Sequence, residues 1–425
     1  MRKTFIMLAF FFVASSYVSA EKITMEMVRS QTLQNNPSIA AAKYELNMAK
    51  QTYRSFLSSF LPDVNFLASL SERDGGFTIV SDGGKGNKRY DYGLNAKISL
   101  FSGFSDYNKM KSLSAKVKAA EESYRRAVCD AVCDAYSAYV NLMYTYESID
   151  LYKKIHQRKI ESRDLVNLRY HSGNIDLGSL KRSEADVKMT EYNLEKTQRA
   201  VETASQILLT AIGRNDEVTI LETDEKINVD KEIISKPDFD NLISKIPEFL
   251  IGKYTLDSFK ALNWTQKGQW LPKVDFNGNI SHRRFDKQWD PENKGWDASL
   301  SLTYPLFVGG KRYFETKTAS TQEKKAAESF RSTKNSLKAD SVRLYTNWVD
   351  RYKIIEVGEF YENSCKLQTD IAKRKYINGL ITYEDWYSIE ESYMKSQTDM
   401  LLYKQKEADA KIAWMKFLGE VSLKE

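Results

Sequence analysis

The sequence predicts a mainly α-helical fold that is built twice along the chain, with two amphipathic strands in each copy. Three observations predict it: helix-breaking residues are few, one order of elements recurs at a nearly constant offset, and segments with strand periodicity interrupt long helical ones. The 425 residues include only 7 prolines and 19 glycines. Because these residues end or break helices, their scarcity predicts long, uninterrupted helices.

The start of the chain has the pattern of a secretory signal peptide. Basic residues precede an apolar stretch, residues 5–13, and Val18-Ser19-Ala20 supplies the small residues that precede a cleavage site. The apolar stretch is about half as long as the roughly 20 residues of a spanning helix, so an uncleaved anchor is the weaker alternative. We therefore assign residues 1–20 to a signal peptide and expect the mature chain to begin near Glu21.

The composition argues against several classes of function. A net charge of +6 over 425 residues predicts no nucleic-acid partner. Cys129, Cys133 and Cys365 are too few for a disulfide framework, and we expect thiols without disulfides. The histidines lack the spacing of metal ligands, and we expect them at the surface: they are His156, His171 and His282. With no catalytic motif in a supporting context, the sequence predicts neither an enzyme nor a bound cofactor.

An internal duplication is the strongest signal in the chain. Matches at an offset of 210 residues include Pro37 with Pro247, Tyr44 with Tyr254 and Pro62 with Pro272. Beyond the next loop the offset becomes 206, as in Gly103 with Gly309 and Gly173 with Gly379. The change in length falls between about 73 and 95 and predicts a surface loop there. We divide the chain into a first structural repeat, 21–213, an equatorial linker, 214–237, and a second repeat, 238–425.

Each copy has the same order of elements: a helix, two strands, a long helix and a return helix. In copy one we predict them at about 38–60, 62–72, 90–100, 104–170 and 174–212. In copy two we predict them at about 248–270, 272–283, 296–306, 310–376 and 382–418. The long helix would be roughly 100 Å, and the two shorter helices placed end to end nearly match it. This predicts a tube wall, with one long helix beside two stacked shorter ones.

The four strand segments alternate between apolar and polar residues. In the first, Val64 and Phe66 share one face, while Asp63 and Asn65 share the other. Strands of about ten residues with one apolar face are typical of membrane barrels. A soluble sandwich is the weaker alternative, because two hairpins could not cover four such faces. Four strands cannot close a barrel, since the smallest have about eight, so several chains must share one; three would give twelve strands.

Together these features resemble the TolC family of outer-membrane efflux and type I secretion channels. The resemblance rests on the signal peptide, the duplicated order of elements, Asn36-Pro37, a Leu-Pro pair before the first strand of each copy, and Pro305-Leu-Phe-Val-Gly-Gly310. It implies a homotrimer in the lipid bilayer of the outer membrane, with a twelve-stranded β-barrel and a long periplasmic α-barrel. It also implies two partners, a periplasmic adaptor and an inner-membrane transporter of the ABC, RND or MFS type.

Two other functions fit parts of the pattern. A periplasmic adaptor also combines a helical hairpin with β structure, but it would not contain one unit twice with amphipathic strand pairs. A coiled-coil structural protein of the cell envelope would explain the helices and leave the four strands unexplained. Both are therefore weaker than the channel.

The resemblance also implies a gate at the two helix-to-helix turns, around Gly173 and Gly379. Family members often carry acidic residues six and nine positions after the second turn glycine, where they narrow the pore. Those positions hold Asp385 and Ser388 here, and the first has Ser179 as its equivalent in copy one. One acidic ring is therefore implied.

The usual closing network of this family is only partly present. The family tyrosine that lies three residues before the turn glycine is present as Tyr376, but the basic residue two positions after that glycine is replaced by Ile381. For Asp385 there is also a purely structural alternative, a carboxylate at a helix N-terminus that the helix dipole favours.

Aromatic residues near the strand ends are expected at the two membrane interfaces. Tyr92 and Trp296 lie near the strand ends away from the helices and predict an outer girdle. The inner girdle would consist of Phe101, Tyr304 and Phe307. The loops at about 73–90 and 283–295 contain polar turn formers and join each pair of strands at the outer end, so we expect them outside the cell.

Overall fold

A computed structural model describes residues 21–72, 88–215, 220–229, 236–285 and 294–420 of the chain. The expected signal peptide, residues 1–20, lies outside the described residues. So do residues 73–87 and 286–293, which make up most of the two loops expected outside the cell.

The elements follow the duplicated order. In chain order they are β1 (Glu21–Lys22), α1 (Met25–Asn35), α2 (Pro37–Leu57), β2 (Asp63–Glu72), β3 (Lys88–Phe101), α3 (Ser105–His171), α4 (Leu177–Ile212), β4 (Leu221–Glu222), α5 (Phe239–Ile243), α6 (Pro247–Gly268), β5 (Lys273–Phe285), β6 (Lys294–Thr303), α7 (Lys311–Ile377) and α8 (Tyr383–Leu418). The long helices α3 and α7 each have 67 residues, and the return helices α4 and α8 each have 36.

Three boundaries differ by three residues from those expected from the sequence, each for a local reason. Helix α2 ends at Leu57 rather than near 60, because Ser58–Phe60 form a 3-10 turn. Helix α4 begins at Leu177 rather than near 174, because Asp176 caps its first turn. Strand β6 ends at Thr303 rather than near 306, since Pro305 has no N–H to donate to a neighbouring strand. The chain then passes Gly309 and Gly310, which have positive φ angles of 62° and 79°, before α7 begins.

The four long strands form one antiparallel sheet in the order β2-β3-β5-β6. Its register aligns an apolar row across all four strands, in which Phe66 faces Leu94, Leu94 faces Ile280, and Ile280 faces Trp296. All four side chains are exposed. On the other face Asn95 bonds to Asn277 at 2.9 Å, and Asn279 bonds to Asp297 at 3.1 Å. The sheet therefore has one apolar face and one polar face, as the alternation predicted.

The chain divides into two compact units, and the sheet belongs to the one that comprises Ala41–Ala127 and Asp238–Asp340. In this unit α3 begins against α6. Gly103 has a φ of +65°, and a Cβ on it would lie 2.1 Å from the carbonyl oxygen of Gly268. The hydroxyls of Ser112 and Ser258 are 2.8 Å apart and buried. The backbone at the start of α3 therefore packs directly against the backbone at the end of α6.

The other unit contains the remainder of α3 and α7 and the whole of both return helices. Its core includes Tyr139, Leu142 and Leu208, which are fully buried. The hydroxyl of Tyr139 donates to the Glu225 carboxylate at 2.8 Å. Strand β1 pairs in parallel with β4, so the start of the expected mature chain is held against the linker.

The three cysteines lie in this same unit. None of them is in a disulfide, as expected, and all three are buried. The sulfur atoms of Cys129 and Cys133 are 3.9 Å apart, roughly twice the length of an S–S bond.

One expectation about the histidines is wrong. His282 on β5 is buried rather than at the surface, with its ring 4.9 Å from that of Tyr92 on the paired strand. Histidine spacing alone does not reveal a cross-strand neighbour. Among the described residues, no helix combines the length and the apolar character that a membrane-crossing helix needs.

Candidate functional site

The two helix-to-helix turns have the same backbone geometry. Gly173, with a φ of +74°, donates its N–H to the Tyr170 carbonyl at 2.9 Å, and Asn174 donates to Arg169. Gly379, with a φ of +71°, repeats the pattern with Tyr376 at 3.0 Å. A left-handed residue at this position is the usual end of a helix, and glycine adopts it without a Cβ penalty. The predicted turn glycines therefore end both long helices.

The return helices begin with caps that use the same kinds of groups in exchanged positions. In copy one the Asp176 carboxylate accepts from the Ser179 N–H at 3.0 Å and from its hydroxyl at 2.7 Å. In copy two the Thr382 hydroxyl accepts from the Asp385 N–H at 3.1 Å, and the Asp385 carboxylate accepts from the Thr382 N–H at 3.3 Å. This second arrangement is a capping box.

These bonds favour the ionised form of both carboxyl groups. The hydrogen bonds from Ser179 lower the pKa of Asp176, and those from Thr382 lower the pKa of Asp385. Asp385 and Ser388 are exposed, whereas Ser179 is buried with its hydroxyl bonded to Asp176. The structural alternative for Asp385 thus describes its local contacts, and its charge is exposed at the start of α8.

An aromatic cluster joins the ends of the two hairpins. Tyr376 is 1% exposed and stacks on Trp386, with ring centroids 4.6 Å apart and an interplanar angle of 11°. The cluster draws on all four helices, and its buried members are Val166, Leu180, Ala372, Tyr376, Tyr383 and Trp386. Burial raises the pKa of Tyr376. Its hydroxyl has no hydrogen-bond partner among the described residues, so its contacts within the cluster are made by its ring.

Two arginines reach from the first hairpin to the second at the turns. The Arg169 guanidinium donates to the carbonyls of Tyr376 and Ile377, at 2.5 and 2.9 Å, and lies 4.3 Å from the centre of the Tyr376 ring. It therefore meets the C-terminal carbonyls of α7, where the helix dipole favours a cation. Arg182 pairs with Glu384 at 3.0 Å, with both side chains largely exposed.

A buried cation lies further from the turns. The Lys159 side chain is 5% exposed, and its ammonium is 2.5 Å from Glu391 and 3.6 Å from Asp186. It also faces the ring of Tyr387 at 4.8 Å. Glu390 is buried beside this group, and burial raises its pKa. Charged groups from three helices thus meet around the buried Lys159, with the Glu391 side chain 41% exposed.

The expected interface aromatics lie on or next to the sheet, with different exposures. Trp296 and Phe307 are 79% and 85% exposed, and Tyr304 is also exposed. Tyr92 and Phe101 are half-buried, the first against His282 and the second against Phe104.

Sequence reasoning missed Lys159, Arg169 and Trp386. One signal could have revealed the first: at the offset of 206 Lys159 matches Cys365, so a charge stands in copy one where copy two has a small residue. Arg169 contacts residues of the other hairpin, and Trp386 stacks on Tyr376 of the other helix in its own hairpin; no local pattern reports such contacts.

The comparisons with known proteins decide the family. Residues 28–214 and 254–420 match the family described as outer membrane efflux protein. This chain belongs to the outer membrane efflux protein family. The matched segments correspond to the two repeats, and the resemblance to TolC-type channels is confirmed.

Solved structures agree with the family assignment. A membrane protein from Pseudomonas aeruginosa has a TM-score of 0.85 at 17% identity, over 93% of this chain and 90% of that one. The outer membrane protein VceC from Vibrio cholerae has a TM-score of 0.81 at 18% identity, over 93% of this chain and 96% of that one. The open state of the MtrE outer membrane channel from Neisseria gonorrhoeae has a TM-score of 0.81 at 16% identity, over 93% of this chain and 89% of that one. At these identities the likeness establishes the fold. No curated protein matches the chain.

The predicted fold class is therefore confirmed: the outer membrane efflux protein described here is mainly α, with duplicated helical hairpins and four strands. It is a subunit of an outer-membrane efflux channel.

Proposed function

We propose that three copies of this chain form a passive exit duct, rather than an enzyme, and that each contributes its four strands to one twelve-stranded barrel. The observation that carries the proposal is the sheet itself. It has one apolar and one polar face, and its edge strands β2 and β6 each pair with one neighbour in the described chain. In a bilayer such edges must pair with another strand, and identical copies would supply it.

The gate of this duct would lie at the turns after α3 and α7. Asp385 supports it, because its charge is exposed and its direction is fixed by the capping box. Three such carboxylates at one constriction would focus a negative potential and favour cations. Tyr376, with Gly173 and Gly379, would shape the turns, and exposed Ser388 would lie three residues beyond Asp385 on α8.

The groove between the two turns would receive the periplasmic adaptor. It is lined by both turns, including Arg169, Asp176, Tyr376, Gly379 and Glu384. An adaptor bound there would connect the duct to an inner-membrane transporter, which would supply the energy for efflux or for type I protein secretion. The exposed aromatics Trp296, Tyr304 and Phe307 would anchor the barrel at the lipid interfaces.

Fractionation tests the assembly. We expect the protein in the outer-membrane fraction as a heat-resistant trimer, because strands shared between chains resist thermal separation. A monomer in the soluble periplasmic fraction would contradict the proposal and would favour the alternative function of this chain, that of a periplasmic adaptor.

A further inference from the structure

Two arginines and one aspartate form a cluster at the outer end of the sheet, the end away from the helices. Arg89 is the second residue of β3, and Arg283 is the third residue from the end of β5, the neighbouring strand. The Nε of Arg89 donates to one carboxylate oxygen of Asp91 at 2.7 Å, and the Nε of Arg283 donates to the other at 2.9 Å. One carboxylate therefore holds two guanidinium groups side by side.

The cluster lies on the polar face of the sheet. In β3, Arg89 and Asp91 share the alternation of Asn95, and in β5 Arg283 shares that of Asn279. These two asparagines make the side-chain bonds that define the polar face. The side chains of Arg283, Arg89 and Asp91 are 56%, 37% and 24% exposed. Both cations are therefore accessible from the solvent on this face.

The charge of the cluster differs in sign from that of the rest of the polar face. Two guanidinium groups and one carboxylate leave one positive charge in each copy. Elsewhere on this face the described strands carry three carboxylates and two ammonium groups, so their charges leave one negative charge: Asp63, Asp275 and Asp297 with Lys97 and Lys273. Three copies around one barrel would therefore place a ring of positive charge at its outer end alone.

A structural role for the cluster requires only one of the arginines. Asp91 lies directly opposite Arg283 in the register, so this pair alone ties β3 to β5. Arg89 adds a second cation to a carboxylate that already has one. Because both guanidinium groups contact the same carboxylate, they are close enough for one phosphate or sulfate group to contact both. A guanidinium has five N–H donors in a planar fork that matches such oxyanions, and the bond to Asp91 uses one of them.

We propose that Arg89 and Arg283 form an oxyanion-binding site at the outer mouth of the pore, which takes a phosphate or sulfate group of a solute that enters from outside the cell. This inference rests on the proposed duct, in which the polar face lines the pore. Three sites around one opening would concentrate anions there. A multivalent anion held at these sites would obstruct the passage of other ions.

The test measures how inorganic tripolyphosphate, added to one side at a time, blocks the conductance of purified trimers in planar bilayers. We expect block of the wild type from one side only, because the sites lie at one end of the pore. Arg283→Gln should raise the concentration for half-block at least about tenfold, the loss expected for a hydrogen bond between charged groups. Arg89→Gln should raise it as well. Asp91→Asn removes the carboxylate that competes with the anion, so it should lower this concentration.

Lys88→Gln is the matched control. Lys88 precedes Arg89 in β3, so it lies at the same level on the opposite face of the sheet, where it pairs with Glu72 at 3.3 Å. The variant removes one positive charge from the outer end without removing one from the polar face. We expect it to leave the concentration for half-block unchanged.

The outcomes separate the site from the duct. Conducting trimers would overturn the site and leave the duct intact if tripolyphosphate failed to block them, blocked them equally from both sides, or blocked Arg89→Gln and Arg283→Gln as strongly as the wild type. Equal effects of Arg283→Gln and Lys88→Gln would do the same. Asp91→Asn keeps the test decisive where an arginine variant fails to form heat-resistant trimers, because unchanged or weaker block in Asp91→Asn also contradicts the site. Absence of conductance in the wild type and in every variant would instead overturn the duct.

Discussion

Asp176 and Asp385 stabilise the starts of equivalent helices from two different positions of the cap. Asp176 is the N-cap residue and bonds to Ser179, whereas Asp385 is the third helical residue and bonds back to Thr382. Ser179 and Asp385 are equivalent at the offset of 206, so the two repeats exchange hydroxyl and carboxylate. Either order satisfies N–H groups that the first turn leaves without intrahelical partners.

This exchange allows the cap of Asp385 to be separated from its charge. We expect Asp385→Asn to reduce cation preference while the trimer remains folded, because asparagine can still accept a bond from Thr382. The double variant Thr382→Asp with Asp385→Ser gives copy two the cap of copy one, in which the carboxylate lies three residues earlier. We expect this variant to be as stable as the wild type. Ion selectivity from reversal potentials, with thermal melting as the control, checks both. Unchanged selectivity in Asp385→Asn would leave Asp385 a structural cap.

The same carboxylates predict a pH dependence. The folded-state pKa values of Asp176 and Asp385 lie below the ordinary 3.8, so both groups stabilise the fold above that value. Their contribution is lost as the pH falls through the lowered values. Buried Glu390 has the opposite sign, since its raised pKa means that the fold loses stability as the pH rises above 4.5. Glu390→Gln should therefore be more stable than the wild type at pH 7, and a lower melting temperature there would contradict this.

Tyr376 should act through its ring alone. Because its hydroxyl has no partner among the described residues, Tyr376→Phe should change the free energy of unfolding by less than about 1 kcal/mol and should not open the channel. Tyr376→Ala removes the stack on Trp386 and should cost about 3–5 kcal/mol, as for other buried aromatic residues. Denaturation and bilayer recordings of both variants check this. An open channel in Tyr376→Phe would show that the hydroxyl has a partner in the trimer.

Two glycines with positive φ should respond differently to alanine. At Gly173 nothing lies within 4 Å of an added Cβ. Gly173→Ala should therefore lower the free energy of unfolding only by the strain of a left-handed alanine, about 1–2 kcal/mol. At Gly103 the Cβ would also collide with the Gly268 carbonyl, so Gly103→Ala should cost clearly more and weaken the trimer. Heat resistance of the trimers measures the difference. Equal losses of heat resistance in the two variants would show that the close contact of α3 with α6 at Gly103 does not stabilise the trimer.

The sequence predicts the features that local patterns encode, and it does not predict contacts between residues far apart along the chain. Strand alternation at Phe66 and the glycine turns at Gly173 and Gly379 are local patterns, and the duplication reports them twice, so they were predictable. Comparing the repeats marks Lys159 as a charge without an equivalent, but its contact with Glu391 joins residues 232 positions apart, and no local pattern identifies that partner. His282 was misplaced for the same reason, because its burial depends on a neighbour on another strand.

The conductance of the purified protein tests the central claim most directly. If the polar face of the sheet lines a pore, trimers inserted into a planar bilayer should conduct ions. Trimers that insert with their strands folded and conduct nothing would contradict the account of this chain as an exit duct.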